Sequence, residues 1–197
     1  AMVGQQPAAA YEGLATVALR RDELAQAATF CTDVLRLDSR RSGCLLIRGD
    51  VKVLQGDVDG AANAYEAMLA LAETPASQKA VAYNRLGRLA AEKGQVDRAA
   101  ATYAKAHELD PQNWESVSNL GVLARRQGRY AEAVGLLEKA ATLRPGDALV
   151  QAHLRESQEA DALAKDRERQ RRINDLVGEL VQRYRRGDVP RPLAEAD

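Results

Sequence analysis

Bulky aromatic residues are scarce in this chain: one tryptophan, one phenylalanine and six tyrosines make up 4% of the sequence. A thick globular core needs more bulk than that, whereas thin layers between helices are filled by small side chains, and the apolar content here leans on alanine. Charge of one sign is not in excess either, with 28 basic against 28 acidic residues. That balance argues against a protein whose main task is to coat nucleic acid. No apolar run approaches the length of a membrane span. Histidine and cysteine number two each. His107 and His153 lie far apart with no cysteine or carboxylate at ligand spacing, so packed or solvated rings are expected, and neither a metal nor a cofactor. Cys31 and Cys44 fall near the end of one helix and the start of the next; a disulfide is geometrically open, but two buried free thiols are the preferred reading. Asp57-Val58-Asp59-Gly60 superficially looks like a calcium loop but lacks the third ligand and the following glutamate, and reads as turn chemistry. With no glycine-rich phosphate loop and no Ser/His/Asp or Cys/His set, catalysis is not expected.

What the sequence does contain is a period of 34 residues. Pro111 recurs as Pro145, Leu86 as Leu120, Gly87 as Gly121, Gly94 as Gly128, Ala99 as Ala133, Tyr103 as Leu137 and Ala106 as Ala140. Such a period, with small residues where two helices cross and a closing proline, describes a helical hairpin repeated in tandem, in which no single hairpin buries its own apolar face. Leu120, Gly121 and Ala124 share one side of a first helix, and Ala133, Leu137 and Ala140 one side of a second. Gly121 and Ala133 are small where the axes approach. Gly128 supplies the turn, and Pro145 stops the second helix because it has no backbone N–H to donate.

The pattern Asn119-Leu120-Gly121, Gly128, Tyr130, Ala133, Ala140, Pro145 resembles the tetratricopeptide repeat, as does Arg85-Leu86-Gly87, Gly94, Ala99, Tyr103, Ala106, Pro111. A further unit over 42–75 keeps Gly49, Gly56, Ala61 and Tyr65 but has Arg48 for the usual leucine and Met68 for the usual alanine. The first, over 8–41, keeps Leu14, Ala18 and Ala27 but has Ala15 for glycine and Cys31 for an aromatic. The resemblance implies an all-α, right-handed α-solenoid of about four hairpins (8–41, 42–75, 80–113, 114–147). A C-terminal capping and extension helix follows over 148–187, then a linker-like tail over 188–197. Between the second and third units the register slips by four residues; Thr74 reads as an N-cap and Pro75 as the first helical residue, starting that helix about one turn early.

The last fifty residues leave the repeat. Asp147 is read as the cap of a helix whose opening turns cover the fourth unit. The mixed charges from Lys165 to Arg172 offer no apolar side and are read as a solvated helical bridge. Ile173, Leu176, Val177, Leu180, Val181 and Tyr184 then form one apolar stripe, ended by Gly187, Pro190 and Pro192. The helix is expected to bend back onto its own solenoid or to pair with its twin in a homodimer. A docking helix for a second domain is the alternative. A membrane-surface role, with Arg183, Arg185 and Arg186 at the headgroups, ranks last because the stripe is short and has no tryptophan or phenylalanine.

Function is expected in the inner surface, since in tetratricopeptide arrays the first helices line a concave groove that receives a partner's peptide or helix. By register the resemblance places Glu12, Thr16 and Arg20 there from the first unit, and Leu46, Asp50 and Val53 from the second. The third contributes Asn84, Arg88 and Glu92, and the fourth Ser118, Val122 and Arg125, with Arg126 beside them. The half carrying Arg88, Arg125 and Arg126 is locally basic, so an acidic segment or a carboxylate is the guest expected, against the alternative of a merely solvated face. Members of the family that bind chaperone tails hold a terminal carboxylate with lysine, asparagine and arginine at set places; of the matching residues only Arg88 fits, which disfavours that subtype. The expectation is a non-enzymatic scaffold for a protein or peptide ligand. Its alternatives are one domain of a larger regulatory or envelope-assembly protein, and a homo-oligomer built through 173–184. Ala1 before Met2 looks like the remnant of a cleaved tag, so the compartment stays open between the cytoplasm, the default, and the periplasm after loss of a leader.

Overall fold

A computed structural model describes residues 5–188, so Ala1, Met2 and the tail with Pro190 and Pro192 lie outside the described residues. The described chain forms α1 (Gln5–Arg20), α2 (Leu24–Leu37), α3 (Ser42–Leu54), α4 (Val58–Leu69), α5 (Ala76–Glu92), α6 (Val96–Leu109), α7 (Trp114–Arg126), α8 (Tyr130–Leu143) and α9 (Ala148–Arg185). Each odd helix up to α7 packs on the even one after it, and each hairpin packs on the next. The architecture is an all-α solenoid.

Glycine sets both the turn and the crossing of each hairpin. Gly94 and Gly128 end α5 and α7 with φ of 72° and 77°, a backbone region that a Cβ makes costly. In the first hairpin Asp22 takes that conformation, at φ 62°. At the crossings, a Cβ on Gly87 would stand 2.6 Å from the Tyr103 ring, and one on Gly121 2.7 Å from Leu137 Cγ. Gly49 faces Tyr65 in the same way. The first hairpin keeps the contact with other residues: alanine replaces glycine at Ala15, cysteine replaces the ring at Cys31, and both are fully buried. A larger residue on one helix is matched by a smaller one on its neighbour, the volume compensation that lets a core be rebuilt without strain. Cys31 and Cys44 are free thiols buried in that same layer, and the hydrogen bond with Cys31, helped by burial, keeps the Cys44 thiol protonated.

The four-residue slip lengthens a helix, as the spacing predicts. α5 has 17 residues where α3 and α7 have 13. The capping differs from the expectation: Pro75, in extended backbone, is the N-cap, and the Thr74 hydroxyl instead donates to the Met68 carbonyl 3.2 Å behind it. Thr74 therefore adds a side-chain hydrogen bond to a carbonyl at the C-terminal end of α4, one that also accepts from the Leu71 amide, rather than opening α5. Asp147 does cap α9, its carboxylate accepting from the amides of Leu149 and Val150, each at 3.1 Å.

α9 runs for 38 residues without a break, so the reading in which it bends back onto the solenoid does not hold. Its first turns cover the fourth hairpin, burying Val150 and Ser157. From Lys165 onward every described residue is exposed. The bridge is held by pairs at helical spacing, Arg169 with Asp166 at 3.4 Å and Arg172 with Glu168 at 2.9 Å. Nothing in the described chain packs on the stripe, whose six side chains are between 44 and 75% exposed.

Two glycine substitutions of opposite sign test the packing account. Gly87→Ala is expected to lower stability by about 1–3 kcal/mol through collision with the Tyr103 ring. Gly135→Ala, on an open face of α8 with no atom within 4 Å, is expected to raise it by about 0.5–1 kcal/mol. Urea unfolding of both variants measures the two signs.

Candidate functional site

The inner face follows from which helices touch. α1 meets α3, α3 meets α5, α5 meets α7 and α7 meets α9, whereas the even helices do not touch one another among the described residues. Odd helices crowd together and even helices splay, so the surface curves inward on the odd side.

Along that face a polar ladder ties three hairpins together. Asp50 Oδ1 accepts from the Tyr65 hydroxyl at 2.7 Å and from Arg85 Nε at 3.2 Å. Arg85 reaches Glu115 Oε2 at 3.6 Å, and Asn84 Nδ2 donates to the same oxygen at 3.0 Å. Asn119 Nδ2 completes it by donating to Asn84 Oδ1 at 2.9 Å. Burial and the Asp50 carboxylate push the Tyr65 hydroxyl well above the ordinary phenol range, so it remains a donor at every physiological pH. Asp50 and Asn84, both placed in the groove by register, are thus structural members of the ladder, Asn84 with 2% exposure. Sequence marks Arg85 and Asn119 only as members of the repeat pattern and does not mark Glu115. For Asn119 the signal is its interval of one period plus one residue from Asn84, whereas Asp50 and Arg85 are joined across the four-residue slip.

The remaining groove positions divide by location. Arg88, Glu92, Val122 and Arg126 surround a depression of about 250 Å³ together with Tyr103, Asn119 and His153 of α9. A second depression of about 290 Å³ shares Arg88, Asn119 and His153 with it and adds Asn84, Ser118 and the flank of Trp114. Arg125 is held away from both by Glu156 of α9 at 2.9 Å. Glu12 stands apart at the first hairpin, 3.9 Å from Arg41 and against Gly43, and Arg20 is solvated at the end of α1.

His153 is the residue that register could not supply, because it comes from the non-repeat helix. Its Nδ1 is buried with no protein partner. Burial lowers its pKa, the nearby Arg125 and Arg126 push the same way, and Glu156 opposes them. Arg88 is balanced only loosely by Glu92 at 3.8 Å, and Arg126 makes no ion pair among the described residues. Two guanidinium groups and a neutral imidazole thus border one concavity, a donor set suited to a carboxylate. Among the described residues no three His, Cys, Asp or Glu side chains cluster as metal ligands, and no helix is long and apolar enough to cross a membrane.

The tetratricopeptide repeat profile matches residues 48–113 and 84–148, together more than half of the chain. The chain belongs to the tetratricopeptide repeat family. No curated protein matches it. Among solved structures, the chain is similar to PilF of Pseudomonas aeruginosa at 21% identity and TM-score 0.70, covering 84% of this chain and 71% of that one. A MamA structure is similar at 17% identity and TM-score 0.62, over 96% and 99% of the two chains. The Cut9–Hcn1 structure is similar at 15% identity and TM-score 0.68, over 75% of this chain but only 29% of that one. At these identities the likeness is one of fold, and the repeat framework is what these structures share with this chain.

The half-buried imidazoles give the fold a pH dependence. His153 and His107 both have folded pKa values below the ordinary 6.5, with burial the leading cause. The unfolded chain therefore binds more protons as pH falls through that ordinary value, and stability declines on acidification below about 6.5. Thermal unfolding from pH 7.5 to 5 is expected to show this decline, and His153→Gln to make it shallower.

Proposed function

We propose that this protein is a non-catalytic scaffold whose inner surface, at its carboxyl-terminal half, holds an acidic segment of a partner protein. The observation that carries the reading is the continuous concavity between α5, α7 and α9, bordered by Arg88, Arg126 and His153 and not closed by any element of the described chain. The ladder around Asp50 and Arg85 saturates the middle of the face. A guest there meets groups already paired, whereas the Arg88–Arg126 end offers donors still to be used. An acidic side chain or terminal carboxylate displaces Glu92 as the partner of Arg88 and gains Arg126, while the walls of Tyr103, Val122 and Trp114 take up its apolar neighbours. Binding through a repeat surface also suits the family, and the Cut9–Hcn1 relative is itself a hetero-tetramer.

Reversing charge at the site separates this from a solvated surface. Proteins retained by the intact chain are compared with those retained by Arg88→Glu/Arg126→Glu, and an acidic peptide from a retained partner is titrated against both. About tenfold weaker binding per reversed charge is expected. Equal retention by both proteins would mean that the groove is not the binding face.

A further inference from the structure

We infer that the distal half of α9 is a surface-seeking helix that lies against an anionic lipid membrane through Ile173, Leu176, Val177, Leu180, Val181 and Tyr184. Sequence alone ranks this option last. Four structural observations move it forward.

The first is that the stripe is uncovered, because α9 continues straight past the solenoid. The second is its width. At 3.6 residues per turn the six apolar side chains span an arc of about 140°, broader than the two-position seam that a single partner helix covers, and suited to a bulk apolar phase. The third is the arrangement of charge. Arg172 and Arg183 border one edge of the arc and Arg185 the other, while Asp175 and Glu179 lie farther round toward the back. From 165 to 186 there are eight basic and four acidic side chains, on a chain whose formal charge is zero. Two copies pairing through this stripe would set arginine edges against arginine edges, with the carboxylates on the outside. Anionic headgroups meet those edges and neutralise them.

The fourth observation is orientation. Val150 and Ser157, the residues by which α9 packs on the solenoid, lie roughly 160° around the helix from the centre of the stripe. A flat surface touching the stripe therefore leaves the solenoid on the far side. From Ile173 to Tyr184 the helix rises only about 17 Å, far less than the ~30 Å hydrocarbon core, so it rests in the interface plane and does not span it. The Tyr184 hydroxyl, at the end of the stripe, is placed to stay among the headgroups.

The test is sedimentation of the intact chain with vesicles of phosphatidylcholine alone or of phosphatidylcholine with phosphatidylglycerol, at low and high salt. Binding is expected to the anionic vesicles, with loss at high salt. Arg172→Gln/Arg183→Gln/Arg185→Gln should weaken it about 100-fold. Leu176→Asp/Leu180→Asp should abolish it while leaving the unfolding transition of the solenoid unchanged, and Arg88→Glu/Arg126→Glu should have no effect. A Tyr184→Trp probe should shift its emission to the blue on anionic vesicles. Absence of binding to anionic vesicles, or equal binding to both compositions, overturns the inference. So does a dimer in light scattering that Leu176→Asp/Leu180→Asp converts to a monomer, since the stripe would then be covered by a second copy.

Discussion

In each regular hairpin of this protein a tyrosine ring or leucine side chain packs against the bare backbone of a glycine on the neighbouring helix. Tyr103 on Gly87 and Leu137 on Gly121 bring two helix axes close enough for small alanines to fill the layer between them. Because that layer is thin, each hairpin leaves an apolar face open, and the next hairpin must close it. The stacking that creates a groove follows from this packing, and so does the need for α9, whose first turns close the last open face with Val150.

Stacking alone leaves the angle between hairpins loosely defined, since alanine-rich layers tolerate small rotations. The ladder from Tyr65 through Asp50, Arg85 and Glu115 to Asn84 and Asn119 removes that freedom on the inner side. Its members lie on α3, α4, α5 and α7, so a change in curvature would break charge-assisted bonds in partly buried surroundings. The donor-rich depression beside it inherits a fixed shape. Rigid walls reduce the entropy lost when a guest is ordered, which favours affinity from few contacts.

Much of the fold is legible in the sequence because repeats announce themselves through small residues whose position admits no alternative. The glycines at 87, 94, 121 and 128 locate both crossings and both turns, and the four-residue slip foretells the longer α5. Caps are less legible: Thr74 and Pro75 are adjacent and chemically suited to the same task, and only the backbone decides which serves α5. The candidate site is legible in part. Register finds Arg88 and Arg126, but it reports which way a residue points and not what meets it there. Asp50, Asn84 and Arg125 point inward and are met by Arg85, Glu115 and Glu156. His153 comes from a helix outside the repeat, where no register applies. The fate of the stripe was least legible, since an apolar periodicity records a need for cover without saying whether the chain turns back to provide it.

The uninterrupted α9 imposes a phase relation between its two ends. Its proximal turns are bolted to the fourth hairpin, and its distal stripe faces the other way, with the charged bridge from Lys165 to Arg172 between them. A helix is a screw, so deleting one residue from that bridge turns everything beyond it by about 100° relative to the groove and shortens the reach by only about 1.5 Å. Apart from Arg172, which borders the stripe, the identity of the bridging side chains is therefore nearly free so long as they stay charged and net basic, whereas their number is not. Selection on this segment should act as on a ruler and a compass together, sparing substitutions while resisting insertions and deletions.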